Sequence, residues 1–137
     1  MDWLALTLYG EARSEPINGQ CAVAAVIRNR VADGRWGHTY ESVVCAPWQF
    51  SCWRPEGGKA NYDALQVLKR SVELNGIPND RALKTAYWIA SGCVDGVMPS
   101  EIGRATHYYV TDSPVPKWAI NTVPLKIVGR HSFFLVH

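Results

Sequence analysis

The residues best suited to chemistry lie near the start of the chain, in the segment YGEARSEP at positions 9–16. Glu11 ends an apolar helical stripe and follows a glycine. A carboxyl group in that setting is partly shielded from water, which favours its protonated form. Glu11 is therefore a candidate general acid. The alternative is that Glu11 lies on the surface and pairs with Arg13 or Arg28.

Glu15 is the second carboxylate of this segment. A second carboxylate close to a general acid could act as a base or a nucleophile. On one continuous helix Glu15 would share a face with Glu11, but Pro16 breaks the helix at this point. We therefore expect Glu15 to cap the second helix or to hold Arg13, a structural rather than a catalytic role.

Further short motifs follow in order along the chain. They are AVAAVIRNRV at positions 22–31, QFSCW at 49–53, ATHY at 105–108, PKW at 116–118 and VGRHSF at 128–133. Together with YGEARSEP, these blocks resemble the SleB/CwlJ-type cell wall hydrolases, the family of spore-cortex-lytic enzymes, over nearly the whole chain. The resemblance implies a lysozyme-like or lytic-transglycosylase-like domain in which Glu11 is the catalytic acid.

The same resemblance implies a substrate, the glycan strands of peptidoglycan, cleaved between N-acetylmuramic acid and N-acetylglucosamine. With one carboxylate, the expected route is that of a lytic transglycosylase. Glu11 protonates the bond after N-acetylmuramic acid, the N-acetyl group assists, and Glu11 then accepts the proton of the C6 hydroxyl to leave a 1,6-anhydro sugar. Plain hydrolysis by a muramidase is the alternative that the sequence leaves open.

The later motifs predict a glycan-binding groove around Glu11. Short polar groups on the 49–53 loop can hydrogen-bond N-acetyl and hydroxyl groups, while tryptophan rings can stack on sugar faces. Filling of the core is the alternative role for the aromatic residues, and for Trp53 the two roles are equally supported. The predicted substrate-binding residues are Gln49, Phe50, Ser51, Trp53, Tyr108 and Trp118.

The histidines are assigned smaller roles. Because alternate residues of a strand face opposite sides, His107 and Tyr108 cannot both line the groove, and we favour Tyr108, which can donate a hydrogen bond near the scissile linkage. His131 follows a hairpin turn and is interpreted as a structural hydrogen-bond partner. His38 and His137 remain unassigned, exposed residues. The candidates for a supporting role are Arg13, Glu15, His107 and His131.

Metal and cofactor sites are not predicted. The four histidines lie far apart, and neither an HExxH pair nor a P-loop or dinucleotide-binding glycine pattern occurs. The four cysteines lack the Cys-x-x-Cys spacing of a zinc site, and free thiols are the expected state. Cys45 and Cys52 are the pair to test for a disulfide.

Two other functions compete with glycoside cleavage. A cysteine peptidase acting on wall peptides would use Cys21, in the first turns of a helix, with His107 as its base. A small apolar neighbourhood favours a buried core thiol for Cys21 instead. A non-catalytic glycan-binding module would need the aromatic residues but not Glu11.

Local patterns predict the elements that carry these residues. Helices are expected over 3–11, from Pro16 to a stop at Asp33-Gly34, over 59–74, and from Asn79 or Asp80 to Gly92. An ordered excursion over 35–58 contains a short strand at Ser42–Cys45. Strands are expected over 107–111, 125–128 and 132–136, the last two joined by a Gly129-Arg130 turn. Helices followed by strands predict a mainly helical α+β class with a small C-terminal antiparallel β-sheet.

The composition limits the kinds of binding partner that we expect. With 137 residues, 47% apolar and 19% charged, the chain is expected to fold as one domain over 1–137. A net charge of +2 is too small for nucleic-acid binding and predicts that lysis depends little on salt. The longest apolar run, residues 21–27, is far shorter than the roughly 20 residues that span a bilayer. We expect a monomer without membrane insertion.

The N-terminus bears on localisation. Asp2 stands where a secretory signal has Lys or Arg, and no small-residue cleavage site follows. The expectation is a phage endolysin, made in the host cytoplasm without a signal peptide and reaching the wall through holin-type pores. A spore cortex-lytic enzyme acting in germination is the alternative.

Overall fold

The computed structural model describes residues 1–47, 49–98 and 100–137. Within these ranges five α-helices precede three β-strands, which confirms the predicted mainly helical α+β class. Single turns of 3-10 helix occur at Ser51–Trp53, Pro55–Gly57 and Lys117–Ala119. The helices are α1 (Asp2–Ala12), α2 (Ile17–Asp33), α3 (Tyr40–Val44), α4 (Lys59–Asn75) and α5 (Arg81–Val94), and the strands are β1 (His107–Val110), β2 (Lys126–Val128) and β3 (His131–Phe134).

The core forms around α1 and α2. Leu4, Leu6 and Leu8 of α1 are fully buried, so this helix is apolar around most of its circumference, as expected of a helix enclosed by others. It packs against α5, α2 and α3. Small residues of α2, such as Ala24 and Ala25, are also buried and let neighbouring helices approach closely. The C-terminal end of α1, with Glu11, thereby lies on a rigid base.

The helix ends follow local signals in the sequence. Pro16 is the extended residue that begins α2, so the predicted break between the first two helices is confirmed. Gly34 ends α2 with a left-handed backbone (φ 89°), and its N–H donates to the Arg30 carbonyl at 3.0 Å. The Asp80 side chain caps α5 by accepting from the Leu83 N–H at 2.8 Å.

The strand predicted at Ser42–Cys45 is wrong, because these residues belong to the short helix α3 and its C-terminal end. Thr39 begins this helix with a capping box. Its Oγ1 accepts from the Ser42 N–H at 3.1 Å, and the Ser42 Oγ accepts from the Thr39 N–H at 3.1 Å. Val43 and Val44 favour strands, but the cap and their complete burial outweigh that preference.

The three strands form an antiparallel sheet in the order β1-β3-β2. Gly129 provides the left-handed turn (φ 59°) between β2 and β3. Tyr108 pairs with Phe133, and His107 pairs with Phe134, so these two pairs lie on opposite faces of the sheet. Tyr108 shares its face with the fully buried Phe133, which directs this face toward the core.

No helix within the described ranges combines the length and the apolar character needed to cross a membrane.

Candidate active site

Glu11 lies near the C-terminal end of α1 and is half-buried. Its Oε1 atom accepts the backbone N–H of Cys52 at 3.0 Å and lies 3.4 Å from the Ser51 hydroxyl. Both donors are uncharged, and within the described residues Glu11 has no ion pair with a cation. The surface pairing of Glu11 with Arg13 or Arg28 is therefore not found.

Gly10 lets the 51–53 turn approach α1. A Cβ atom at this position would lie 2.8 Å from the Cys52 Cβ and 2.9 Å from its Sγ, closer than real side chains come. The absence of a side chain thus permits the Cys52 N–H to reach Glu11. Burial, with the nearby Glu11 carboxylate, raises the pKa of the Cys52 thiol far above its usual range, so the thiol stays protonated.

Trp53 anchors the same turn inside the core. Its indole N–H donates to the Thr7 hydroxyl at 2.7 Å, and its ring lies 4.9 Å from that of Trp3. Only 7% of Trp53 is exposed. The ring therefore offers little surface on which a sugar could stack, and the placement fits the core-filling alternative.

A cavity of about 290 Å³ lies beside Ser51, the residue whose hydroxyl contacts Glu11, while Glu11 itself is not among the lining residues that the structure describes. Ser51 connects the cavity to Glu11, because it lines the cavity and its hydroxyl points to the Glu11 carboxylate. Phe50 forms part of the floor and is only 2% exposed, so it contributes shape more than contact area. The lining residues are Pro47, Gln49, Phe50, Ser51, Arg54, Glu56 and Gly57.

Arg30 is the site residue that the sequence did not single out. It is 5% exposed, and its guanidinium carbon lies 4.5 Å from the centre of the Trp36 ring. Its Nε donates to the Thr106 carbonyl and its Nη1 to the Gln49 Oε1, both at 2.7 Å. Burial lowers the pKa of Arg30 to about 10. The available signal was an arginine within the apolar run of α2.

Tyr108, which was predicted to line the groove, lies on the core side of the sheet. Its ring stacks on Phe133 at 5.6 Å and meets the edge of His131 at 5.1 Å. Burial, with the nearby negative charge of Glu11, raises the pKa of the Tyr108 phenol. The hydroxyl therefore stays protonated at neutral pH and can donate a hydrogen bond. It lies close enough to Glu11 for the charge of that residue to affect its pKa.

Trp118 and His107 lie on the other face of the sheet. The Trp118 ring is 4.9 Å from His107 and 5.2 Å from Phe134. Burial, followed by the charge of Arg30, lowers the pKa of His107 to about 4, so its imidazole is neutral near pH 7. The structure thus separates Trp118 from Tyr108, although the sequence had placed both in one groove.

Glu15 belongs to a different cluster. Its Oε2 accepts from the Arg130 Nε at 3.1 Å and lies 3.0 Å from the Arg130 Nη2, while the His131 Nδ1 lies 3.1 Å from Oε1. The expectation that Glu15 caps the second helix or holds Arg13 is wrong on both counts. No side chain among the described residues caps the start of α2, and Arg13 folds back to donate to the Tyr9 carbonyl at 2.8 Å. A structural role fits this placement, but its partners come from the β2–β3 hairpin.

The peptidase pair is not assembled. His107 packs near Arg30, and Cys21 lies nine positions earlier on α2, about 13 Å along the helix axis. No hydrogen bond joins Cys21 and His107, which are both described, and burial raises the pKa of the Cys21 thiol.

All four cysteines are free, including Cys45 and Cys52. The described residues contain no cluster of three or more His, Cys, Asp or Glu side chains suited to a metal ion.

Comparison with known proteins gives consistent matches. The model of the Cell Wall Hydrolase family matches residues 14–134. The spore cortex-lytic enzyme of Bacillus cereus is 31% identical over 130 residues, which is 95% of this chain but 42% of that protein. The Bacillus subtilis spore cortex-lytic enzyme is 28% identical over 95% of this chain and 35% of its own length. The chain therefore spans less than half of these relatives.

Among solved structures, the catalytic domain of the germination-specific lytic transglycosylase SleB from Bacillus anthracis matches with a TM-score of 0.69. It is 30% identical, and the match covers 96% of this chain and 90% of that domain. The catalytic domain of the Bacillus cereus SleB protein gives a TM-score of 0.65 at 29% identity. The resemblance drawn from the sequence motifs is confirmed. Glu11 precedes the range that the family model matches.

Proposed function

The chain belongs to the cell wall hydrolase family, and from this premise we propose that it cleaves peptidoglycan glycan strands as a lytic transglycosylase, with Glu11 as general acid and base. The observation that carries the proposal is the anchoring of Glu11 beside the 290 Å³ cavity by the Cys52 N–H and the Ser51 hydroxyl. A fixed carboxyl group next to a cavity can meet a bound sugar in one geometry.

The two carboxylate oxygens of Glu11 have different roles in the proposed reaction. Oε1 accepts the Cys52 N–H, and no protein donor to Oε2 occurs within the described ranges. Oε2 can therefore carry the proton to the glycosidic oxygen between N-acetylmuramic acid and N-acetylglucosamine. As the C1–O bond breaks, the N-acetyl group assists at C1. Glu11 then accepts the C6 hydroxyl proton, and the C6 oxygen bonds to C1, so the 1,6-anhydro product forms without consuming water.

The surroundings of the other carboxylates support a route with a single acid. Glu15 is paired with Arg130 and 3% of its side chain is exposed, so it is not available as a nucleophile or base. A muramidase that works with two carboxylates would need a second one near Glu11, and Glu56 is the carboxylate among the described cavity-lining residues. Substitution of Glu56 can therefore distinguish the transglycosylase outcome from the hydrolase outcome.

The test is digestion of purified peptidoglycan, followed by mass spectrometry of the soluble products. The wild-type chain is expected to release fragments with 1,6-anhydro ends, and Glu11→Gln is expected to lower the rate about 10²- to 10⁴-fold. Glu101→Gln, which removes an exposed carboxylate from the segment before β1, is the matched control. Activity that persists in Glu11→Gln would overturn the assignment.

Glu56→Gln separates the two chemical outcomes. The transglycosylase route predicts anhydro ends at a rate near that of the wild type. Reducing ends in the wild-type digest, together with loss of activity in Glu56→Gln, would establish a two-carboxylate hydrolase instead. Free peptide products would point to a peptidase.

The names of the relatives support action on the spore cortex more than the phage endolysin expected from the N-terminus. We propose a cortex-lytic role, while release through holin-type pores stays a prediction. Decoated spores, which expose cortex peptidoglycan, and vegetative cell walls are the two substrates to compare. Faster loss of optical density with decoated spores supports the cortex role, and lysis of vegetative walls alone supports the endolysin.

A further inference from the structure

Gln49 reaches the cavity beside Glu11 with a fixed orientation of its amide. A guanidinium group can only donate hydrogen bonds, so the Gln49 atom 2.7 Å from the Arg30 Nη1 must be the carbonyl oxygen. The Nε2 atom consequently takes the other position, where it donates one hydrogen to the Pro47 carbonyl at 3.3 Å. Its second hydrogen has no acceptor within the described part of the chain.

Arg30 is itself held firmly, so the orientation is enforced. The guanidinium lies against the rings of Trp36 and Phe50, at 4.5 and 5.6 Å from their centres, and donates to the Thr106 carbonyl. No carboxylate forms an ion pair with Arg30 among residues 1–47, 49–98 and 100–137. A buried cation without an anionic partner strengthens its remaining hydrogen bonds, and reversal of the Gln49 amide would place two donors face to face.

The cavity therefore presents an N–H donor next to apolar carbon atoms. Pro47 and Phe50 line the same space as Gln49, and Ser51 connects it to Glu11. An acetamido group combines the complementary features, namely a carbonyl oxygen that accepts and a methyl group that packs on apolar carbons. A free amine would bring its own donors and a positive charge toward the Gln49 N–H.

We infer that Arg30 is a positioning residue that fixes the Gln49 amide so that its N–H can bind the acetamido group of the substrate. The site thereby selects N-acetylated over de-N-acetylated glycan strands. The inference rests on the proposed function for the glycan nature of the ligand. It adds a specificity determinant, Arg30, which touches no substrate and acts through Gln49.

Binding in a Glu11→Gln background tests the inference without cleavage. The ligands are soluble glycan strands in three forms, which are native, chemically de-N-acetylated, and re-acetylated with acetic anhydride to restore the original group. Calorimetry gives the ratio of dissociation constants for the acetylated and de-N-acetylated forms. The parent should favour the acetylated strands about tenfold, the effect of one net hydrogen bond of about 1.4 kcal/mol.

Adding Gln49→Glu keeps an oxygen for Arg30 but replaces the N–H donors with an acceptor and a negative charge. This variant should reverse the preference toward the de-N-acetylated, cationic strands, while its melting temperature stays at or above that of the parent. Gln66→Glu, which adds the same charge on α4, is the matched control. A purely structural role for Gln49 would not move the selectivity, and an unchanged ratio would overturn the inference.

Adding Arg30→Lys instead keeps the buried cation but loses the planar fork that holds Gln49 and the Thr106 carbonyl together. Selectivity should fall toward one without reversing, because the freed amide can present either its oxygen or its nitrogen. Retained selectivity would show that Arg30 does not position Gln49. If the wild type releases no glycan products but Gln49→Glu still reverses the binding preference, the proposed function fails while this inference stands.

Discussion

Glu11 and Glu15 are separated by only three residues, yet the structure gives the two carboxylates opposite surroundings. Glu11 is half-buried beside a cavity and receives hydrogen bonds from uncharged donors. Glu15 is buried in the turn between α1 and α2, where Arg130 neutralises it and His131 lies against it. Residue type is the same, so the difference lies entirely in the partners.

The contrast explains how one short segment can hold both a candidate catalytic group and a structural ion pair. A carboxylate that is neutralised by a cation cannot easily take up or release a proton, and a group enclosed by its partners cannot meet a substrate. The break between the two helices separates the two carboxylates, because α1 ends at Ala12, Pro16 begins α2, and Glu15 in between meets Arg130 of the β2–β3 hairpin. Glu15 thereby ties the hairpin to the helices, and Glu11 remains free for a ligand.

The largest effect on this comparison is expected from the paired substitutions Glu15→Gln and Glu11→Gln. Glu15→Gln removes the buried charge that Arg130 and His131 contact and should lower the free energy of unfolding by about 2 kcal/mol. Glu11→Gln should change it by less than about 0.5 kcal/mol, because an amide oxygen can still accept the Cys52 N–H. Urea unfolding of both variants measures the difference.

Activity completes this paired experiment. Glu15→Gln should digest peptidoglycan at nearly the wild-type rate when assayed well below its melting temperature. If Glu15→Gln is stable but inactive, Glu15 takes part in the reaction and the contrast between the two carboxylates breaks down.

A smaller effect is expected from acid, and it should act on the sheet. Burial lowers the pKa of His131, and it lowers the pKa of His107 from the ordinary 6.5 to about 4. The unfolded chain therefore binds these protons first as the pH falls. Stability should be fully present above pH 6.5 and decline toward pH 4, by at most about 1.4 kcal/mol per pH unit for each histidine.

Melting temperatures between pH 7 and pH 4 check this expectation. His107→Gln should flatten the decline, and the same change at exposed His38 controls for the loss of an imidazole. A melting temperature that rises on acidification, or a decline that His107→Gln leaves untouched, would show that the imidazoles are not buried in neutral form.

The smallest effect is expected from salt. The net charge is +2, so long-range attraction to an anionic wall is weak, and the Glu15 carboxylate is shielded from ions by burial. Raising sodium chloride from 50 to 200 mM should change the rate of lysis by less than about twofold. A steep decline would indicate that cations near the cavity, such as Arg54, attract the substrate.

Several features of the fold could be predicted because their causes are local. Pro16 cannot continue the first helix, Gly34 adopts the left-handed conformation that ends α2, and Asp80 caps α5 through its own side chain. The strand predicted at Ser42–Cys45 failed for a similar local reason. Two valines indicated β structure, but the capping box that starts at Thr39 favours a helix.

The candidate site likewise has features that could be predicted from the sequence and features that could not. Glu11 could be proposed as a candidate from its motif, and the alternation of residues along a strand correctly separated His107 from Tyr108. The role of Trp53 could not be decided, because stacking on a sugar and filling the core need the same residue type. Its hydrogen bond to Thr7, 46 positions away, places it in the core.

By itself the sequence determined the candidate for the acid, the order of the elements and the family resemblance, since these depend on residue types and on neighbours within a few positions. Tertiary structure alone decided which carboxylate is neutralised, with Arg130 meeting Glu15 across 115 positions. It also decided that Arg30 reaches Gln49. Such pairs depend on how helices and sheet pack, and packing is a property of the whole chain that local patterns do not encode.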